Sequence, residues 1–352
     1  MEPSRRIDIS VLVPVRNEAA FIAETGRLIL AQEFEGEAEF LMIDGASDDG
    51  TRALLEELAA SDVRVRVIEN PAGDLASALN AGLAAARGEF VVKMDAHTYF
   101  PPDYVQIGVD RMRRGDVGWV SGPQIPFGVD PWSRGVALAL GTRLGVGGSG
   151  KWASTFGREA VDGEKELDTA VFSGVWRRSA LERLGGWEPD WPVNEDSELA
   201  SRFLAAGERI VCVASMGARY VPRGSLRGLA RQYFRYGFYR AKTAKRHPAS
   251  VRAHHLVPPA LVSVLIVGLL GPRRARRLAR AALVPYAAAQ AAASLSAGRQ
   301  GERSDAALLP AVFTTMHLSY GSGYLAGCAR FGMPLAALAR RVVDRPGVPP
   351  RD

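Results

Sequence analysis

Cysteine is scarce in this chain: two residues in 352, Cys212 and Cys328, far apart and in apolar surroundings. That count leaves no disulfide framework and no zinc-ligand spacing, and it fits either a reducing compartment or two buried thiols. No secretory leader is expected in the opening stretch either. The opening MEPSRRIDISVLVPV is interrupted by Pro14, so its apolar run is too short for such a segment, and the first part of the chain is expected in the cytosol. No dinucleotide fingerprint follows that first run, which argues against nicotinamide chemistry. Gly145 to Lys151 (GVGGSGK) looks like the start of a phosphate loop, but Trp152 stands where a hydroxyl residue is required and no strand precedes it. A nucleoside-triphosphatase built on such a loop is excluded.

Acid is missing most unevenly. Residues 216–252 carry ten lysines and arginines and no aspartate or glutamate. Residues 1–215 hold 22 basic and 34 acidic side chains, net −12, whereas 216–352 hold 22 and 4, net +18, so the whole-chain value of +6 hides a split. A basic half beside an acidic half faces something anionic, either nucleic acid or phospholipid headgroups.

What is present is the composition of a folded protein. Apolar residues make up 47% and charged residues 23%, and the length suffices for one large domain or two units. Strand-like runs at 7–15, 39–43, 63–68 and 90–94 alternate with helical patterns at 21–32, 52–60 and 75–86, and helices are expected again within 180–208. The alternation predicts a parallel α/β sheet covered on both faces. Ligands of such sheets bind beyond the carboxyl ends of the strands. Arg16-Asn17-Glu18, Asp44 and Asp95-Ala96-His97 each follow a predicted strand, so three polar clusters are expected along one edge. Residues 121–165 have a looser pattern rich in glycine and tryptophan, as in a substrate-facing insertion.

Asp95 and His97, two apart at a strand end, can reach one divalent ion. Their oxygen and nitrogen donors suit Mn²⁺ or Mg²⁺ bound to a diphosphate, although a solvated aspartate beside a satisfied histidine explains the tripeptide alone better. In the stretch after Asp44, turn and capping chemistry accounts for Ser47, Asp48 and Asp49. A carboxylate ending a buried strand needs a partner, however, which the base or ribose of a nucleotide would supply for Asp44. Asn194-Glu195-Asp196-Ser197-Glu198 opens an amphipathic run. Acids are favoured at a helix start, but crowded carboxylates also raise one another's proton affinity, which suits general-base work on a hydroxyl.

In the basic half, Arg219, Arg223, Arg227, Arg231 and Arg235 recur every four residues, interleaved with Tyr233, Phe234, Tyr236, Phe238 and Tyr239. From Ser225 this predicts a helix with a basic stripe and an aromatic side, as in a membrane-surface element. Three apolar segments follow, at 256–271, 281–297 and 306–327. Crossing a bilayer takes about 20 apolar residues. The third segment is long enough, the second is borderline, and the first is short and opens near Pro258-Pro259. The joining stretch PRRARRLAR carries five arginines and is expected on the cytoplasmic side. The expectation is a first segment that re-enters or lies in the interface, followed by a spanning hairpin of the other two. Three buried helices of a soluble domain are the alternative. Apolar segments of this length favour headgroups over nucleic acid as the anionic partner.

Together the motifs resemble family 2 glycosyltransferases of the GT-A fold. VLVPVRNE (11–18) looks like that family's opening strand and turn, and IDGASDDGT (43–51) like its second motif. Asp95-Ala96-His97 sits where the metal-binding Asp-X-Asp lies, and Glu195-Asp196 matches the pair whose aspartate is the base. Gln232-Tyr-Phe-Arg235-Tyr236 is similar to the Gln-X-X-Arg-Trp motif near the acceptor. Within the family, the look is that of succinoglycan-type exopolysaccharide glucosyltransferases, which share the Asp-Ala-His variant and hydrophobic C-terminal segments. The similarity covers residues 7–240 strongly and 250–330 in general character.

The resemblance implies a GT-A catalytic domain at 1–215, a basic interfacial segment at 216–252 and membrane-associated helices at 253–352. It implies an inverting transfer from a nucleotide-diphospho-sugar to a hydroxyl acceptor, lipid-linked or a surface-polysaccharide intermediate, at the cytoplasmic face of a membrane. Asp95 and His97 would hold Mn²⁺ or Mg²⁺. Pro14, Arg16, Glu18, Asp44 and Ser77 would form the donor pocket, with Lys93 adding positive charge there. Asp196, beside Glu195, would be the base, and Gln232, Arg235 and Tyr236 would serve the acceptor or diphosphate. The glycine-rich stretch 145–151 would lie over the acceptor.

Three departures stand out. Gly45 replaces a second aspartate, His97 replaces the second metal carboxylate and makes metal binding sensitive to acid, and Tyr236 replaces tryptophan. A non-catalytic membrane scaffold of the same fold is the main rival. A sugar nucleotidyltransferase is the lesser one, since Pro14 to Glu18 is not a triphosphate loop.

Overall fold

The computed structural model of the chain describes residues 7–147, 149, 151–152, 163–171, 173–299 and 303–343. They form two units: residues 1–125 with 150–220, and residues 126–149 with 221–352.

In the first unit the strand and helix alternation is realised. Strands β1 (Ile9–Val15), β2 (Ala38–Asp44), β3 (Val65–Glu69) and β4 (Phe90–Lys93) are joined by helices α1 (Ala19–Leu30), α2 (Thr51–Ser61) and α3 (Leu75–Ala85). They run parallel in the order β3-β2-β1-β4. Alternation along the strands splits their side chains between two cores. Val11, Val13, Phe40, Met42 and Val92 face one, and Leu12, Leu41, Ile43 and Val91 face the other, with Trp119, Trp176 and Phe203.

The rest of the sheet departs from the all-parallel expectation. A short strand, β5 (Thr98–Tyr99), and α4 (Tyr104–Arg113) precede β6 (Trp119–Ser121) and β7 (Gln124–Pro126). Beyond them β8 (Glu164–Leu167) and β9 (Gly174–Arg177) lead to helices α7 (Arg178–Arg183) and α8 (Glu195–Ala205), and to strands β10 (Ile210–Val213) and β11 (Ala218–Tyr220). The large sheet continues β4-β9-β6-β10-β8, with β9 antiparallel to β4. No short helical crossover leads from β4 to β9, so β9 is able to enter from the opposite end. Strands β5, β11 and β7 form a small second sheet.

The second unit is helical: α5 (Pro131–Leu140), α6 (Arg143–Val146), α9 (Leu226–Arg246), α10 (Ala253–Leu270), α11 (Arg273–Ala297), α12 (Arg303–Ala306), α13 (Leu309–Phe331) and α14 (Leu335–Val343). Three expectations change here. Residues 131–146 are helical rather than loose, because Asp130 caps α5 through the N–H groups of Trp132 and Ser133 ahead of Pro131. Residues 216–252 are not one segment, since β11 pairs with β5 in the first unit while α9 packs in the second. And α13, the apolar segment expected to face lipid, is the central helix of its unit. Its Val312, Phe313, Met316, Tyr324 and Cys328 are buried. A Cβ on Gly237 of α9 would meet the Tyr320 carbonyl at 2.0 Å, and one on Gly323 would meet the Phe234 carbonyl at 2.0 Å, so α9 and α13 touch backbone to backbone.

Among the described residues α10 alone is long and apolar enough to cross a bilayer, with mean hydropathy 1.8 over 18 residues of which 17% are buried. Leu269 and Leu270 at its end are 70% and 83% exposed. The segment read as too short therefore leaves apolar surface uncovered, as α11 does at Leu278, Val284 and Leu295. Gly148, Gly150 and residues 153–162, which include most of the loop expected over the acceptor, lie outside the described residues.

Candidate active site

The ends of β1 and β2 are stitched together. Asn17, at φ 55°, exchanges hydrogen bonds with Asp48: its amide donates to Oδ1 at 2.9 Å and its oxygen accepts the Asp48 N–H at 3.0 Å. The Thr51 hydroxyl accepts the Glu18 N–H and donates to Asp49, which also accepts the Ala19 N–H. Ser47, Asp48 and Asp49 thus tie the turn after β2 to the end of β1, while the N-cap position of α2 itself is Gly50 without a side-chain cap. Asp44, 6% exposed, is not left waiting for a ligand. Its Oδ1 accepts the Ser47 N–H at 3.3 Å and its Oδ2 lies 3.8 Å from Arg52 Nη1.

Arg16 donates to the Gly73 carbonyl at 2.6 Å, and its side chain lies where Gly45 and Gly73 lack a Cβ. The glycine that replaces an aspartate at position 45 therefore leaves room for Arg16 across the strand ends. Pro14 is half-buried at the end of β1, and Ser77 is half-buried in the first turn of α3, where its N–H meets the capping Asp74. Asn70, buried beside them, donates to the Asp74 carbonyl, and its N–H meets the Asp44 carbonyl. Sequence reasoning passed over Asn70; its position directly after β3 was the available signal.

Past β4, the loop carrying Asp95 and His97 is held from beneath by α1, where the buried Thr25 hydroxyl donates to the Ala96 carbonyl at 2.5 Å. His97 Nδ1 lies 3.0 Å from Glu18 Oε1. Glu18, expected in the donor pocket, thus contacts His97.

The densest electrostatics surround Lys93. Alternation along β4 turns its side chain toward the face covered by α8, and only 2% of it is exposed. Its ammonium lies 3.1 Å from Asp196 Oδ2, 3.8 Å from Asp95 Oδ1 and 3.9 Å from Glu195 Oε1. The carboxylates come from the end of β4 and the first turn of α8, about one hundred residues apart in sequence. Burial raises the pKa of Glu195, with the Asp196 charge adding and Lys93 opposing. Burial likewise raises Asp196 against the pull of Lys93. On the lysine, the three carboxylates together outweigh burial and hold its pKa above the ordinary range. Glu198, third acid of the turn, is spent on Arg202 at 2.7 Å, and Arg202 also bonds the Leu184 and Gly186 carbonyls.

Gln232, Arg235 and Tyr236 stand on α9 in the second unit, with the Gln232 amide donating to the Tyr236 hydroxyl at 3.0 Å and Arg235 exposed.

Comparison with known proteins follows the same lines. The model of glycosyl transferase family 2 matches residues 10–185. The succinoglycan biosynthesis protein ExoA of Rhizobium meliloti is 30% identical over 321 residues, 89% of this chain and 93% of that protein. The chain belongs to glycosyltransferase family 2. A beta-monoglucosyldiacylglycerol synthase of Trichormus variabilis is 26% identical over 55% of this chain and 41% of its own length. Among solved structures, the mannosyltransferase PcManGT of Pyrobaculum calidifontis, in complex with GDP-Man and Mn²⁺, superposes with a TM-score of 0.51 over 97% of this chain and 89% of that one, at 23% identity. The first unit accordingly has the GT-A fold, and the protein moves a sugar from a nucleotide-sugar donor to an acceptor.

For this glycosyltransferase the donor set can be tested against a divalent ion. Among the described residues no three histidine, cysteine, aspartate or glutamate side chains gather into a closed metal cage. Asp95 and His97 offer one oxygen and one nitrogen, and 17% and 46% of their side chains are exposed. Two protein donors suit an ion whose remaining ligands come from a diphosphate. The Glu18 contact adds a feature of metal-ligating histidines, whose second ring nitrogen meets a carboxylate. The residues fit the ion.

Proposed function

We propose that this family 2 glycosyltransferase is metal-dependent and inverting, with Asp196 as the base that takes the proton from the acceptor hydroxyl. The convergence of Asp95 and Asp196 on the Lys93 ammonium carries this reading, because it brings a leaving-group residue and a base to the same few ångströms. Asp95 and His97 would hold Mn²⁺ or Mg²⁺, which supplies charge neutralisation at the departing diphosphate. Glu18 fixes the His97 ring, and Thr25 fixes the loop between the two ligands. Pro14, Arg16, Asp44 and Ser77, with Asn70, line the nucleotide side. By motif resemblance, Gln232, Arg235 and Tyr236 serve the acceptor or diphosphate. Attack by the acceptor oxygen on the anomeric carbon from the side opposite the diphosphate inverts the configuration, and Asp196 is the group that receives the proton.

The acceptor is read as a lipid-linked glycan, and the enzyme as bound to the cytoplasmic face of a membrane through α10 and the start of α11. The exposed end of α10 runs into Arg273, Arg274, Arg276, Arg277 and Arg280, and no acid occurs from residue 216 to 301. Apolar surface beside unopposed arginines matches an anionic bilayer.

The test is a panel of UDP- and GDP-hexoses incubated with Mn²⁺ and membrane lipid extract, followed by assay of released nucleoside diphosphate and of the anomeric configuration of the product. Inverted product with metal-dependent release is expected. Absence of release from every donor would favour the non-catalytic scaffold, and retained configuration would remove Asp196 from the base role.

A further inference from the structure

The sequence suggests a donor-pocket role for Lys93, and the structure pairs its ammonium with three carboxylates. A lysine at an inward position of a buried strand is rare unless it is paired, and this one is paired three times over. In the sheet Lys93 is flanked by Leu12 of β1 and Gly174 of β9. A Cβ on Gly174 would strike the Trp119 indole at 2.1 Å, so Trp119 packs directly on β9 next to the Lys93 pairing position. The ammonium meets both oxygens of Asp196, at 3.1 and 3.4 Å, with Asp95 and Glu195 just beyond. A cation gripped in this way is not aimed at a diphosphate.

We infer that Lys93 is a positioning residue for transfer: its ammonium seats the Asp196 carboxylate for proton abstraction and ties that seat to the Asp95 loop. This rests on Asp196 being the base. Three reasons favour the role. A short aspartate at the start of a helix has few other ways to be fixed, and both of its oxygens lie within 3.4 Å of one buried atom. The bond joins α8 to β4, so the loop that would face the leaving group and the helix that would face the acceptor share one anchor. Finally, a negatively charged donor must approach two carboxylates, and a fixed cation between them offsets the repulsion without moving.

The test compares wild type, K93M, K93R, D196N and K93M/D196N, using the nucleotide sugar that wild type turns over fastest in the panel above. Thermal melting and the affinity for the matching nucleoside diphosphate with Mn²⁺ are measured alongside. We expect K93M to lose about 10²-fold in kcat, as for a misplacement near 1 Å, with donor KM and diphosphate affinity near wild type. K93R should recover part of the loss, and K93M should add little to D196N. A rise in donor KM with kcat retained would overturn the inference and return Lys93 to the diphosphate. So would losses in K93M and D196N that multiply in the double variant, or a drop in melting temperature with unchanged kcat per folded enzyme. Should K93M fail to fold, K93R decides alone: a larger head group disturbs kcat if it seats Asp196, and KM if it touches the donor. A wild type inactive on every donor would count against the functional reading itself, whereas an active wild type with an unimpaired K93M counts only against Lys93.

Discussion

The two units use acid in opposite ways. The first is rich in carboxylates, and those that matter stand at strand ends and at the start of α8, where three of them share Lys93. Among the described residues of the second unit, Asp130 and Asp305 are the only acids. Both are structural, Asp130 as the cap of α5 and Asp305 in a pair with Arg134 at 2.8 Å. Under the proposed function the carboxylates gathered on Lys93 in the first unit build the site for chemistry on an anionic donor. In the second unit basic residues far outnumber acids, and under the proposed function an anionic membrane surface would balance that charge. Substitutions that separate these roles test the contrast.

The largest effect is expected at Asp196. D196N should lower kcat by about 10²–10⁴-fold, the range for loss of a general base, while nucleotide-sugar binding by calorimetry stays near wild type. Turnover like that of wild type would remove Asp196 from the base role. Next comes Glu18. If it orients His97 on a metal, E18Q should weaken Mn²⁺ binding by roughly 10–100-fold, with kcat recovered at saturating Mn²⁺. A raised donor KM that excess Mn²⁺ does not cure would instead return Glu18 to the nucleotide pocket.

In the second unit the expected losses concern surfaces. R273Q/R274Q should weaken binding to phosphatidylglycerol vesicles by about 1 kcal/mol per charge, with no change on phosphatidylcholine. The kcat on a soluble acceptor should be untouched. Equal losses on both lipids would point to apolar insertion of Leu269 and Leu270 without help from charge.

Legibility followed the same division. The strand-end clusters could be read because each lies just after an apolar β-rich run, and strand alternation fixes where such residues emerge. Asp95 and His97 lie on one loop, and Asp95 and Asp196 lie 3.8 and 3.1 Å from the Lys93 ammonium. What could not be read was which neighbours satisfy each charge. Arg52 beside Asp44, Glu18 beside His97 and Asp196 beside Lys93 are contacts between residues 8 to 103 positions apart, set by packing rather than by pattern. Lys93 in FVVKM still carried a hint, since a lysine inside a buried strand demands a partner. In the helical unit hydropathy misled. The segment that became α13 is apolar because it packs on α9 and α10, and hydropathy alone does not tell protein neighbours from lipid. Gly237 and Gly323, where α9 and α13 touch backbone to backbone, are what let the two helices pack so closely.

The smallest effect sets two helix caps against each other. Asp74 caps α3 through the Ser77 N–H at 2.9 Å, and Asp130 caps α5 through the Trp132 and Ser133 N–H groups at 2.9 and 3.0 Å. Losing such a cap costs about 1 kcal/mol in either place, so D74A and D130A should lower melting by a similar few degrees, roughly 2–4 °C. Their activities should part. Asp74 also bonds Asn70 through its carbonyl and positions Ser77 on the nucleotide side, so D74A should raise donor KM a few-fold. D130A should leave donor KM alone, because the bonds it breaks hold only the start of a helix. A donor defect in D130A without one in D74A would mean that acid in the helical unit takes part in the chemistry after all, and the contrast between the units would have to be redrawn around α5.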